Sequence, residues 1–292
     1  MRKIKSTEEL IYQVFVNALL LLTLLIVCIP LLRVITMSFT PIKAGEQILG
    51  GLLIPFSDWS VAAYQQLLTH PAFLSSFMNS VIILVLGTTI NLLLTIPLAY
   101  VLSIKSLPGR KFLNILVLIP FLFNPGLIPT YLVVTKLNLI DTYWAVILPG
   151  AVSVYNCFVM RGFFEGIPED FKEAARIDGA GEFYILRRII LPLSKPIILT
   201  VGLFYGVSHW NEFFSPLLYL NDTKLQPLPV LLRNILLAAN VNEYVDTNAM
   251  SAAPIQSLKA ASVVLTTLPM VIVYPWIQKH FTKGTLVGGI KG

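Results

Sequence analysis

Six separate runs of apolar residues, each about as long as a helix needs to be to cross a lipid bilayer, set the strongest limit on this chain. They extend approximately from Val14 to Leu32, Val81 to Ile104, Phe112 to Val134, Trp144 to Phe164, Pro196 to Leu220 and Ala261 to Ile277. A hydrocarbon core about 30 Å thick is crossed by about 20 helical residues. Backbone groups in lipid must find partners within the spanning structure, so helix is the expected form. Composition agrees: 56% of the 292 residues are hydrophobic and only 12% are charged, against about 25% charged in a soluble domain. So few charges cannot solvate a globular surface. The fold class read here is an all-α membrane protein with six transmembrane helices.

The first run could be mistaken for a secretory signal, because Arg2, Lys3 and Lys5 precede it. It is longer than a signal core, Glu8 and Glu9 intervene, and Arg33 follows in place of a small-residue cleavage site. A retained first span is expected. Lys and Arg then fix the orientation. They crowd into one set of segments, including Arg2 to Lys5, Lys105 to Lys111, Arg161 to Lys195 and Lys279 to Lys291, and are sparser in the other. Cytoplasmic flanks carry the excess, which predicts a multi-pass protein with both termini inside. The net charge of +6 follows this topology and is no nucleic-acid signal.

Cys28 and Cys157 both lie in apolar stretches, far apart, and read as small packing residues. His70, His209 and His280 have no second ligand at metal spacing, so no metal site and no catalytic constellation is expected. The long segments Thr40 to Asn79 and Asn221 to Lys259 fall outside the membrane. Ile54, Phe56, Trp59 and Tyr64 suggest a packed element in the first, and the stretch from Pro227 to Asn240 suggests a short amphipathic helix in the second. Pro120, Pro125, Gly126 and Pro129 interrupt the third span. Each proline removes a backbone donor, which suits either a kinked packing helix or the wall of a translocation path.

The most informative stretch joins the fourth and fifth spans, residues 165–192. Pro168 can open a helix, and Glu169 and Asp170 suit the positive end of its dipole. Phe171, Ala174 and Ala175 share a face by helical spacing, and Gly179 after Asp178 is placed to end the helix in a left-handed conformation. A second segment, Glu182 to Ile190, leads through Leu191 and Pro192 into the fifth span. Glu165, Glu169, Asp170, Glu173, Asp178 and Glu182 make the loop too acidic to rest on anionic headgroups. A helix docking into a protein partner is the better expectation.

Glu173-Ala174-Ala175, three residues, Gly179, nine residues, then Ile189-x-Leu191-Pro192 resembles the EAA loop of binding-protein-dependent ABC importer permeases, in its sugar-importer version. Trp210-Asn211-Glu212-Phe213 is similar to a sequence common in carbohydrate permeases. The tail, residues 284–292, looks like the glycine-rich end of the maltose-type subunit, which reaches between the paired ATPases. The resemblance implies a type I importer permease fold over residues 1–292 as a single transmembrane domain, and a carbohydrate, of the oligosaccharide class, as solute. It implies as partners a second and different permease chain, two ATPase subunits, an external solute-binding protein and the lipid bilayer. The chain has no Gly-x4-Gly-Lys-Ser/Thr phosphate loop, so it is read as no enzyme itself, with ATP and Mg2+ held by the partners and no cofactor of its own.

On this reading Glu173, Ala174, Ala175, Asp178 and Gly179 couple the permease to the ATPase. Ala174 and Ala175 would fill the partner's cleft, Gly179 would supply the turn, and Glu173 and Asp178 would either accept bonds from the partner or cap local donors. Tyr155 and Asn156 in the fourth span, with Trp210, Asn211 and Glu212 in the fifth, are candidates for the substrate path, since polar groups at membrane depth face a bundle interior or a water-filled route. Hydrogen bonding between helices is an equal reading of those five. Alternatives to the sugar importer are an ABC permease for another solute, a secondary transporter or channel working without ATP, and a membrane-embedded enzyme. The last two would call for buried ionisable groups in several spans, inverted repeats or paired acidic and His motifs, none of which is visible.

Overall fold

The structure, a computed structural model, describes residues 7–41, 56–237 and 253–288. Among these there is no strand. Three helices are long and apolar enough to cross a membrane: α1 (Thr7–Ser38), α3 (Pro71–Ser103) and the first part of α14 (Ile255–Gly288). Two bent pairs raise the number to five if each is one span. The helix α2 (Ala62–Thr69) precedes α3.

The first bent pair is α4 (Arg110–Leu122) and α5 (Leu127–Lys136), which meet at 109°. Pro125 and Gly126 lie in the break, and Gly126 has φ +83°, a conformation that costs a residue with a Cβ dearly. Two side chains serve the freed groups there: Asn124 Oδ1 accepts from Gly126 N at 2.9 Å, and Thr130 Oγ1 donates to Gly126 O at 2.8 Å. The expected third span is therefore two helices at an angle. Pro120 and Pro129 sit inside α4 and α5 without ending them.

The expected fourth span, Trp144 to Phe164, is not one helix. It divides into α6 (Tyr143–Ile147) and α7 (Val154–Glu165), separated by non-helical residues 148–153 around Pro149 and Gly150. The reason this is tolerated lies on α3. Asn91, fully buried, donates to the carbonyls of Gly150 at 3.0 Å and Ala151 at 2.7 Å, so the groups released by the break are not left unpaired.

After α7 come α8 (Asp170–Ile177), α9 (Glu182–Ile185), a π-helical turn at Leu186–Ile190 and the single turn α10 (Leu191–Leu193). An 84° bend then leads into α11 (Lys195–Asn211). The fifth expected span continues past Asn211 as α12 (Phe214–Tyr219), after an extended residue at Glu212. The helix expected after Pro227 is α13 (Leu228–Leu237).

The chain divides into two compact units, residues 1–71 with 234–267 and residues 72–233 with 268–292. In the first, Phe39 stacks on Trp59 at 4.6 Å and lies 5.0 Å from Tyr64, and the Tyr64 hydroxyl is 2.6 Å from Ser38 Oγ. This is the packed element expected from Phe56, Trp59 and Tyr64; Ile54 lies outside the described residues. The second unit contains the main core, where Ala99, Tyr100 and Leu102 of α3 meet Cys157, Met160 and Phe164 of α7, Ile185 and Ile190, and Val201 and Tyr205 of α11. Cys157 is a core packing residue here; Cys28 is half-buried on α1. Of the tail, residues 284–288 continue α14 and residues 289–292 lie outside the described residues.

Candidate functional site

In the loop at residues 165–192 helix α8 starts after Glu169, leaving Pro168 just outside it in place of the first helical position expected for it. Lys172 N and Glu173 N donate to the carbonyl of Glu169, at 2.8 and 2.9 Å, and open α8. At the other end Ala180 N donates to Ala175 O at 2.9 Å, and Gly179 N to Arg176 O at 3.0 Å. With Gly179 at φ +81°, these two bonds form a Schellman motif, so the glycine is needed for the turn.

One side of α8 is bound to the rest of the chain by charge. Lys172, only 2% exposed, donates to Glu169 Oε2 at 3.0 Å. Arg176 reaches Glu169 Oε1 at 3.2 Å and Glu182 Oε1 at 2.9 Å. Glu182 Oε2 accepts from the Tyr100 hydroxyl at 2.5 Å, which ties the loop to α3. The hydrogen bond from Lys172, with the Arg176 charge behind it, holds the Glu169 carboxyl below the usual carboxylate range. Burial works to raise that of Glu182, but the bonds from Tyr100 and Arg176 outweigh it and the net direction is down. Ala175 and Ala180 pack half-buried against the main core.

The other side of α8 is open. Phe171, Glu173, Ala174, Ile177 and Asp178 are exposed, Ile177 to 86%. Among the described residues neither Glu173 nor Asp178 makes a side-chain hydrogen bond within the chain. Of the two alanines, Ala174 is the outward one. Spacing alone put Phe171 and both alanines on one face. The structure adds Ile177, Phe183 and Tyr184 as further exposed apolar groups on the same loop. A large apolar side chain between charges on a surface loop was the available signal for Ile177.

A second ionic group holds α4 to α7. Arg110 and Arg161 both pair with Glu165 Oε1, Arg161 at 2.8 Å, and Arg161 also donates to Asn114 Oδ1 at 2.6 Å. These lie at the edge of the loop and fix where it leaves the helices.

A polar cavity of about 430 Å³ lies between the α6–α7 break and α11. Its walls include Ser153, Tyr155, Asn156, Tyr205, His209 and Glu212. Tyr155 is exposed to it and Asn156 is nearly buried. Glu212 Oε1 accepts from Phe214 N at 2.9 Å and Ser215 N at 3.0 Å, capping α12 as an anion suits a helix start.

Tyr155, Asn156 and Glu212 are thus brought together, whereas Trp210 and Asn211 are not part of this wall. Trp210 is buried edge-on against Phe77 at 6.1 Å and lines an apolar groove with Leu84 and Gly206. Asn211 donates to Val207 O of its own helix at 2.9 Å.

A polar node, not marked by any of the motifs above, lies behind the cavity. His209 Nε2 is 2.6 Å from Asn91 Oδ1, and Asn91 holds the two carbonyls of the break. The Tyr205 hydroxyl is 2.8 Å from Thr95 Oγ1 and accepts from Ser153 N at 2.9 Å. Gly87 is required beside this node, because a Cβ there would fall 2.5 Å from His209 Nε2. An Asn and a Thr four residues apart in an apolar span were the available signal. Among the described residues no group of His, Cys, Asp and Glu is arranged to hold a metal ion.

Comparison with known proteins agrees with a helical membrane fold. The model of the family described as binding-protein-dependent transport system inner membrane component matches residues 61–287. The chain is 38% identical over 286 residues to the polygalacturonan/rhamnogalacturonan transport system permease protein YtcP of Bacillus subtilis (strain 168), across 97% of this chain and 99% of that protein. It is 32% identical over 268 residues to the arabinooligosaccharides transport system permease protein AraQ of Halalkalibacterium halodurans, across 90% of this chain and 91% of that one. A chain of a bacterial ABC transporter involved in the import of the acidic polysaccharide alginate, solved by crystallography, superposes with a TM-score of 0.88 at 29% identity. That match covers 95% of this chain and 99% of the other.

Proposed function

The chain belongs to the family of inner membrane components of binding-protein-dependent transport systems, and from that premise we propose that it is one permease subunit of an ATP-driven importer of an oligosaccharide. The observation that carries the proposal is the two-sided α8. Arg176 and Ala175 fasten it to the chain's own helices, while Phe171, Ala174 and Ile177 stand free among acidic neighbours. Such a helix is built to dock into a partner and to pull on what lies behind it.

On this proposal Ala174 enters the cleft of an ATPase subunit, where its small side chain permits close approach, and Gly179 fixes the turn that presents it. Glu173 and Asp178 are left to accept hydrogen bonds from that partner. ATP and Mg2+ belong to two such ATPase subunits, a second permease chain completes the path, and an external binding protein delivers the sugar. Tyr155 offers an aromatic face to a sugar ring, and Asn156 and Glu212 offer partners to hydroxyls, in the 430 Å³ cavity. ATP binding need favour one arrangement of the path over another by only a few kcal/mol to shift most of the population.

The test is to purify the assembly through a tag on this chain, in lipid, with Ala174 and with Ala174→Asp. We expect the aspartate to abolish co-purification of the ATPase subunits while the permease elutes as a folded, monodisperse species. Full retention of the ATPase by Ala174→Asp would sink the docking role of α8.

A further inference from the structure

We propose that Tyr100 and Glu182 form the joint through which the 165–192 loop and α3 move as one piece, so that α3 carries displacement of the loop to the wall of the polar cavity. The inference rests on the reading of α8 as the docking helix. Three observations support it. The first is the Tyr100–Glu182 hydrogen bond itself, at 2.5 Å with Tyr100 only 3% exposed. Glu182 continues through Arg176 and Glu169 to Lys172, so the joint is linked to α8 from its first turn to its last.

The second observation is what α3 holds further along. Thr95 meets the Tyr205 hydroxyl, which also accepts from Ser153 N, and Asn91 holds Gly150, Ala151 and His209. Ser153, Gly150, Tyr205 and His209 all line the cavity. Tyr100 and Asn91 are about 14 Å apart along the helix at 1.5 Å per residue. Helix α3 is continuous between them, through Pro97.

The third is that the loop and α3 otherwise share an apolar cluster, in which Ile185 and Ile190 of the loop are buried with Ala99, Tyr100 and Leu102 of α3 and against which Ala175 and Ala180 pack half-buried. Apolar packing is non-directional and permits sliding. A hydrogen bond to a carboxylate has a preferred length and angle, and this part-buried one fixes the loop to α3 at a point. Tyr100 is accordingly a positioning residue that touches neither the docking partner nor the solute.

The test uses the tagged assembly in lipid with Cys28→Ala, Cys157→Ala and a reporter, Ser208→Cys, on the cavity wall. The rate of reaction of the reporter with a water-soluble maleimide is measured without nucleotide and with Mg2+ and AMP-PNP. With Tyr100 present the nucleotide is expected to change the rate about fivefold or more, the lower end of ordinary coupling between sites. With Tyr100→Phe, or with Glu182→Ala, that change should fall below about twofold while the ATPase subunits stay bound, and the double variant should lose no more than either single one.

A full nucleotide response in Tyr100→Phe with ATPase retained would overturn the proposal, as would additive losses in the double variant. So would loss of the ATPase from Tyr100→Phe, since the pair would then serve docking. Ala174→Asp run in parallel separates the two readings: ATPase retention in that variant removes docking by α8, whereas its loss leaves docking standing and the joint to be judged on Tyr100→Phe alone.

Discussion

At the scale of single residues, two glycines and one carboxylate carry the sharpest expectations. Gly179 sits at φ +81° with open space around it. A branched side chain meets no clash there and suffers only backbone strain of about 1–3 kcal/mol. Gly179→Val is therefore expected to loosen the end of α8 without unfolding the protein, seen as faster amide exchange at Asp178 to Ala180 in the purified assembly. Gly87 is the opposite case. Its backbone is helical and unstrained, but an added Cβ would lie 2.5 Å from His209 Nε2, so Gly87→Ala must displace the imidazole and break its bond to Asn91. A loss of about 1–3 kcal/mol should appear as a lower melting temperature in detergent. Glu169 gives a pH dependence. Its carboxyl is held below the usual range by Lys172 and then Arg176, so its contribution is present above the unfolded value of about 4.3 and is lost as pH falls through the lower folded value. Amide protection of α8 should fall in that acid window, and should not fall there in Glu169→Gln, whose protection is already reduced at pH 7.

At the scale of elements, the breaks matter more than the helices. The 109° bend between α4 and α5 and the gap between α6 and α7 place non-helical backbone within apolar sequence. Both are stabilised by side chains that supply the missing partners, Asn124 and Thr130 at the first and Asn91 at the second. Asn91→Leu keeps the branched shape and removes the amide that donates to Gly150 and Ala151 and meets His209, so three bonds are lost at a fully buried position. At about 0.5–1.5 kcal/mol for each hydrogen bond lost, this substitution should destabilise the protein more than Thr95→Val, which removes one hydroxyl. Denaturation midpoints of the two variants, measured side by side, check the order.

At the scale of the whole molecule, the number of spans follows from pairing the pieces. Three long apolar helices and two bent pairs are present by length and composition. Counting the α6–α7 segment, too short and broken to be included there, would give the six read from the sequence, an even number that puts both termini on one side. That arrangement predicts opposite labelling of two single cysteines in intact cells: Asp222→Cys should react with an impermeant maleimide from outside, and Asp178→Cys only after the membrane is opened. The same answer from both would require an odd number of spans between them to be given up. Asp141 supports an ordered outer surface near Asp222. It accepts from Asn221 N at 2.5 Å and from Asp222 N at 3.0 Å, and the Asp222 amide bond is the leading cause of its lowered pKa.

Local sequence pattern was enough for the helical membrane class, the position of the 165–192 loop and the residues at its turn. These are local properties: apolar runs set by the bilayer, charges set by topology, and Gly179 set by a turn that favours a residue without a Cβ. Phe171, Ala174 and Glu173 could be found because a helix repeats every 3.6 residues whatever surrounds it. The tertiary structure decided the rest. It turned Ala175 onto the chain's own core, sent Trp210 to an apolar groove and Glu212 to a polar cavity from adjacent stretches of one segment, and divided the fourth span where Asn91 could receive it. Tyr100 and Glu182 stand 82 residues apart. No local pattern marks such a pair, because their meeting depends on how α3 and the loop pack. That packing is a property of the folded chain as a whole.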